Sequence, residues 1–287
     1  MGDAGSRASA DASPDGGTSA LADAGVLDAG MSGPSQAFLD LSKKAEAKYR
    51  DGDTASLGEA ARLWEQAALE APHPEVPLLS AAQAWRERAQ RPDAAADDVQ
   101  RDAESCGADA RRGLEAVDPG APKGSRSEAI ARVGPAGVEL LYVGAVCEGL
   151  LARSRGFTQL VEAQKNVAEA LERAAQLAPD LDDAGAEREL GRLYAALPSA
   201  SGGDLAAARR HFDAAVERAP RSVRNRIAYA TSIAVKAQDR ALFKAQLRAA
   251  LETDPDNAEA REILSREDEL FGPAEAAQPI PGGPPIH

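Results

Sequence analysis

Apolar residues recur along this chain in a helical rhythm. Residues 63–72 read LWEQAALEAP, 170–179 read ALERAAQLAP and 211–220 read HFDAAVERAP. The letters differ but the order is shared: a small residue, a large apolar residue four on, Ala three later, Pro five later. Ala60, Trp64, Ala67 and Pro72 follow it, as do Ala208, Phe212, Ala215 and Pro220. Val167, Leu171, Ala174, Pro179 and Phe243, Leu247, Ala250, Pro255 follow it with softer letters. Spacings of four and three place these side chains on one helix face. The closing proline cannot continue a helix and ends it.

A second pattern alternates with the first: an apolar residue, a small one, then a large one three positions later. Leu190-Gly191…Tyr194 is its clearest copy, followed by Val143-Gly144…Cys147, Tyr229-Ala230…Ile233 and Ala81-Ala82…Trp85. The small residues let two helices approach, and the large ones fill the space beside them. Helix pairs in this alternation are those of the tetratricopeptide repeat. The pattern predicts an all-α fold, a tetratricopeptide-like α-solenoid of stacked antiparallel helix pairs. About five pairs fit into residues 35–270.

The repeat is uneven. Its prolines, Pro72, Pro119, Pro179, Pro220 and Pro255, lie 47, 60, 41 and 35 residues apart, and only the last spacing is near the standard period. The second unit, ESCGADARRGLEAVDP, is degenerate, with Arg111 where a large apolar residue belongs. The third has a long first helix over about 135–154 and then an insertion, RSRGFTQLVEAQ. The fourth carries the loop LPSASGGD at 197–204. Long insertions in a solenoid carry function or an oligomer contact, so these two segments are the pointers to a site.

Residues 1–34 are Ala, Gly, Ser and Asp with almost no large apolar groups, and residues 271–287 are rich in Pro and Gly. Neither tail can bury enough surface to offset the entropy of ordering, so both are expected to be disordered. Hydrophobic residues make up 44% and aromatics only 4%, a composition that packs helices closely and disfavours strands. The net charge of −13 excludes nucleic acid as a partner, and an anionic membrane surface equally. The arginines lie among acids on helix faces, in i,i+4 pairs such as Lys165/Glu169 and Glu169/Arg173.

Cys106 and Cys147 have no CxxC spacing and no nearby His, which speaks against zinc. Two buried thiols are the plainer reading of them. One disulfide between neighbouring helices is the other, and it needs an oxidising compartment. No run approaches 18 continuous apolar residues, so no membrane span is expected. No export signal is read at the start. MGDAGS fits the N-myristoylation pattern formally, but it lies in the low-complexity tail.

Catalytic chemistry finds no foothold. His73, His211 and His287 have no ligand-spaced partners, so no metal is expected. Gly202-Gly203 and Gly282-Gly283 belong to no phosphate-binding motif, and Asp204 reads as a helix N-cap. Asp97-Asp98 and Asp182-Asp183 sit where helix dipoles favour acids. No GxSxG occurs, and no nucleophile has a base beside it. The chain reads as a non-enzyme without a cofactor. A stacked-helix fold offers a concave surface instead. Its candidate contact residues are Tyr142, Arg224, Asn225 and Tyr229, with Phe157 in the insertion.

Residues from about 140 to 256 resemble the T component of the TRAP-transporter-associated tetratricopeptide family. The resemblance rests on a long helix ending LLARSRG, then ALERAAQLAPDLDDAGAERELGRLYAALP and the Gly-Gly-Asp loop. AARRHFDAAVERAP and SVRNRIAYATSIAVKAQDRALFKAQLRAALETDP follow. Residues 36–139 resemble it loosely. The family resemblance implies a periplasmic, usually lipid-anchored, all-helical protein. It implies a homotrimer with a pore or cavity for an apolar ligand. It also implies a partner, the substrate-binding protein of a tripartite ATP-independent uptake system. This sequence shows no lipobox cysteine, so the anchor is an expectation from the family alone. In the periplasm, Cys106 and Cys147 would be bonded if they face each other. The alternative to the family reading is a generic tetratricopeptide scaffold for another protein.

Overall fold

The computed structural model describes residues 33–91, 94–120 and 124–272. The tails assigned to 1–34 and 271–287, with Gly282, Gly283 and His287, lie outside them save for residues 33–34 and 271–272. The first helices are α1 (Gln36–Asp51), α2 (Thr54–Glu70), α3 (Glu75–Ala89), α4 (Ala96–Val117) and the short α5 (Arg126–Arg132). Next come α6 (Val138–Arg155), α7 (Phe157–Leu177), α8 (Gly185–Ala196) and α9 (Leu205–Arg218). The chain closes with α10 (Val223–Tyr229), α11 (Arg240–Thr253), α12 (Ala258–Ser265) and α13 (Glu267–Phe271). A π-helical turn, Ala230–Ala234, extends α10. No strand occurs among the described residues, so the fold is all-α. Helices pack mainly on their neighbours in chain order: α1 on α2, α3 on α4, α4 on α6, α6 on α7, α8 on α9, α10 on α11.

The small-large-small pattern is the core of four helices. Ala60, Trp64 and Ala67 of α2 are buried, as are Val167, Leu171 and Ala174 of α7. The corresponding triplets of α9 and α11 are 0% exposed throughout. Gly191 shows why the partner helix needs a small residue: a Cβ there would come within 2.7 Å of the Phe212 ring.

α4 departs from this arrangement. It ends before Pro119 just as its counterparts end before theirs, but Gly107, Arg111 and Leu114 are not buried. The residues one position earlier, Cys106, Ala110 and Gly113, are buried in their place. One residue corresponds to about 100° around a helix, so α4 turns a different face to the core.

α6 is the central helix. The stretch Pro135–Arg155 has a mean hydropathy of 1.4 and is apolar enough to cross a bilayer by length and composition, although it has no unbroken apolar run. Here it is packed between α3, α4, α7 and α8. A helix buried on all sides must be apolar all round. The two cysteine sulfurs are bonded to each other, with Cα atoms 6.1 Å apart, tying α4 to α6. The two-thiol reading does not hold in the structure.

The insertion read at 153–164 is helical rather than looped. α6 runs to Arg155, Gly156 turns the chain at φ +107°, and α7 begins at Phe157. The 197–204 segment forms a 3-10 turn at Ser199–Ser201. Asp204 caps α9 by accepting from the amides of Ala206 and Ala207, each at 2.9 Å. Gln164 Nε2 donates to the Gly202 carbonyl at 2.6 Å, so the two insertions pack on one another. Of the expected surface pairs, Lys165 meets Glu169 at 3.7 Å. Arg173 turns away and donates to the Val133 carbonyl at 2.8 Å.

Candidate functional site

The rotation of α4 leaves a hole. A cavity of about 630 Å³ opens between α4, α5 and α6, closed at one side by Ala170 of α7. The three α4 positions that fill the core in other repeats, Gly107, Arg111 and Leu114, line it instead. Ile130 of α5, Val133 just past its end and Leu141 of α6 supply apolar surface. No Cβ neighbour lies within 4 Å of where a side chain at Gly107 would begin, so this mid-helix glycine borders open space.

α5 is held over the cavity from both ends. Its start is a capping box, with Ser125 and Glu128 exchanging hydrogen bonds between side chain and backbone. Ser127 Oγ donates to Glu169 at 2.6 Å, and Arg173 holds the Val133 carbonyl just past its end. Both partners belong to α7. The disulfide fixes the opposite wall, because Cys106 precedes Gly107 and Cys147 precedes Glu148, and both followers line the cavity.

The lining carries no aromatic, hydroxyl or amide side chain among the described residues. Its polar groups are arginines and acids at the rim. Arg126 pairs with Glu148, Arg155 with Glu104, and Arg111 reaches Glu115 at 3.9 Å. Burial raises the Glu148 pKa above the usual carboxylate range, while Arg126 pulls the other way. The apolar part of this wall, Leu114, Ile130, Val133, Leu140, Leu141 and Leu151, accepts hydrocarbon.

The residues chosen from sequence stand elsewhere. Tyr142, Asn225 and Tyr229 are buried, at 2%, 0% and 2% exposure, so they do not form an exposed concave face. Tyr229 stacks on Phe212 and donates to Asp213 at 2.6 Å. Phe157 is exposed at the start of α7, and Arg224 is half exposed. None of the five lines the cavity.

Two of them, Tyr142 and Arg224, converge on the carboxylate of Asp182, and Asn225 joins it through Arg188. Asp182 Oδ2 accepts from the Tyr142 hydroxyl at 2.6 Å and from Arg188 Nη2 at 2.8 Å. Its Oδ1 accepts from Arg224 at 2.7 Å, and Arg86 stands 3.5 Å away. Arg188 Nη1 donates to Asn225 Oδ1 at 2.9 Å. Asn225 Nδ2 donates in turn to the carbonyls of Asp183 and Ala215. Burial opposes the Asp182 charge, but Arg188, Arg86 and Arg224 outweigh it and hold the pKa down to about 2. Asp182 and Asp183 have φ of 52° and 57°, a left-handed turn just ahead of the α8 N-cap Ala184, near the helix start. Arg86, Tyr142, Arg188 and Arg224 come from α3, α6, α8 and α10, so the cluster joins these four helices. His211 has a comparable role, stacking on Tyr194 and meeting Glu187 at 2.7 Å.

On its core side α4 buries Asp102 and Asp109. Burial, with the Glu65 carboxylate next in weight, pushes the Asp109 pKa up to about 7. A raised native pKa favours folding most below about pH 4, and this contribution is lost as pH rises towards 7. Asp109→Asn keeps the neutral form. It should raise the unfolding free energy by about 1–3 kcal/mol at pH 8 and leave it unchanged near pH 4. Urea melts at the two pH values check this, and equal effects at both would contradict it.

The degenerate second unit was the signal for the cavity. Arg111 interrupts the repeat where the hole lies, whereas no residue of either insertion lines the cavity. A family model described as TRAP transporter T-component matches residues 79–266, a span that contains the whole cavity and the whole Asp182 cluster. Comparison with curated proteins finds no match.

Proposed function

From the premise that the chain belongs to the TRAP transporter T-component family, we propose that it is the accessory protein of a tripartite ATP-independent uptake system. It holds an apolar small ligand in the α4–α5–α6 cavity and docks to the substrate-binding protein of that system. The cavity carries this reading. Its hydrocarbon walls border a repeat position left unfilled, in a chain whose family serves transport rather than catalysis.

The helix pairs are read as a tetratricopeptide-like solenoid, the copies assembling as a homotrimer. A periplasmic location, with a lipid anchor, fits the Cys106–Cys147 disulfide, since such bonds persist in oxidising compartments. Native mass spectrometry of the gently purified protein tests the reading in one spectrum. A trimer carrying lipid-sized adducts, and recovery of a substrate-binding protein in co-purification, is the expected result. A bare monomer that recovers no such partner would leave a tetratricopeptide scaffold for some other protein.

A further inference from the structure

We infer that the ligand of this cavity is a single-chain aliphatic amine, its hydrocarbon chain along Gly107 and its ammonium on Glu148. The inference rests on the ligand-holding role proposed above and specifies the chemistry of the same site.

The chain part follows from the walls. Four helices obey the repeat and fill the triplet positions with Trp64, Leu171, Phe212, Leu247 and their small neighbours. α4 departs from them, with Gly107 at the small position and Arg111 at the large apolar one, and the space opens there. Gly in a helix interior costs about 1 kcal/mol relative to Ala. Gly107 has no neighbour within 4 Å that would exclude a side chain, so close packing does not account for it. Its effect is room. The lining offers no ring to stack on and no hydroxyl or amide, and beside its charged side chains stand the apolar ones of Leu114, Ile130, Val133 and Leu141. A flexible alkyl chain is what such a space takes.

The head part follows from an asymmetry in the Arg126–Glu148 pair. Glu148 is the more enclosed partner, its side chain 24% exposed, and Arg126 is 54% exposed. An incoming ammonium takes the place of the Arg126 guanidinium, and Arg126 moves into water at little cost. At the same place an incoming carboxylate would instead take Arg126 from Glu148. That leaves the partly buried Glu148 without its partner, the expensive direction of exchange. An alkyl ammonium titrates like a lysine and is charged at neutral pH. The protein's net charge of −13 attracts cations and repels anions during encounter.

Calorimetric titration of the full chain with decylamine, decanoate and decanol, each below micelle formation, tests this. Decylamine should bind at least about tenfold more tightly than decanoate. Glu148→Gln should remove that advantage and leave decanol binding unchanged. Arg126→Ala, at an exposed position, should tighten decylamine several-fold, because the competitor is gone. Gly107→Leu should block all three, with a thermal melt showing that the variant is folded. Tighter binding of decanoate, weakened by Arg126→Ala, would overturn the assignment. So would equal binding of all three probes, although the cavity would then remain a ligand site. If no probe binds and Gly107→Leu does not alter the adducts seen in native mass spectra, both the amine and the ligand-holding role fail.

Discussion

Replacing Arg188 by Ala should cost the protein about 3–5 kcal/mol, because it breaks a largely buried network of hydrogen-bonded charges. Arg188 is 5% exposed at its side chain and contacts Asp182, Glu189, Asn225 and the Tyr142 hydroxyl. Truncation removes every one of those donors at once. Arg86 and Arg224 remain near Asp182, but Asn225 Oδ1 loses its partner, and the buried Glu189 keeps the Arg192 ion pair and the field of Arg153 alone. For a chain of this size the loss corresponds to a fall of roughly 6–20 °C in melting temperature. Tyr142→Phe removes one hydroxyl and should cost only about 1–2 kcal/mol. The same cluster sets an acid limit. The native Asp182 pKa is depressed to about 2, so its contribution is full above the ordinary carboxylate pKa and disappears as pH falls towards 2. Guanidinium melts of the wild type and Arg188→Ala at pH 7 and pH 3 read both effects. Equal stability of the two proteins at pH 7 would show that the cluster is not a joint.

The distribution of what could be read beforehand has a physical basis. The cores of α2, α7, α9 and α11 were legible because their packing obeys a local spacing, and local spacing is what a sequence displays. Asp204 was legible for the same reason, since a cap bonds amides two and three residues away. Tyr142, Asn225 and Tyr229 were misplaced because an aromatic or amide on a helix looks alike facing inward or outward. Their burial is decided by Asp182, Arg188 and Asp213, which lie on other elements. The cavity was missed for a different reason. It is a departure from a pattern, and Arg111 in place of an apolar residue resembles erosion of a repeat until the rotation of α4 gives it a purpose. α5 lies inside the 60-residue gap between Pro119 and Pro179, where its seven residues carry no triplet of the repeat to mark it.

Loss of the Cys106–Cys147 bond is the second large effect expected, about 4 kcal/mol for a closed loop of this length. The bond spans 41 residues of sequence and both sulfurs are fully buried, so the unfolded chain is constrained while the folded one is not exposed to reductant. Protein produced in a reducing cytoplasm should therefore melt well below protein produced with export, and should recover on oxidation in vitro. Titration of the denatured, unreduced, exported protein should find no thiol; two thiols would overturn the pairing. The consequence reaches the cavity as well. α4 presents the wrong face to follow the repeat, and no large apolar residue of its triplet anchors it to the core. The disulfide holds that rotated helix against α6. Cys106→Ala with Cys147→Ala should thus weaken retention of the cavity's occupant by more than its effect on melting alone implies. The comparison is made at a temperature where both proteins are folded. Unchanged retention in the folded variant would mean that the capping box of α5 and its ties to α7 suffice to keep the cavity open.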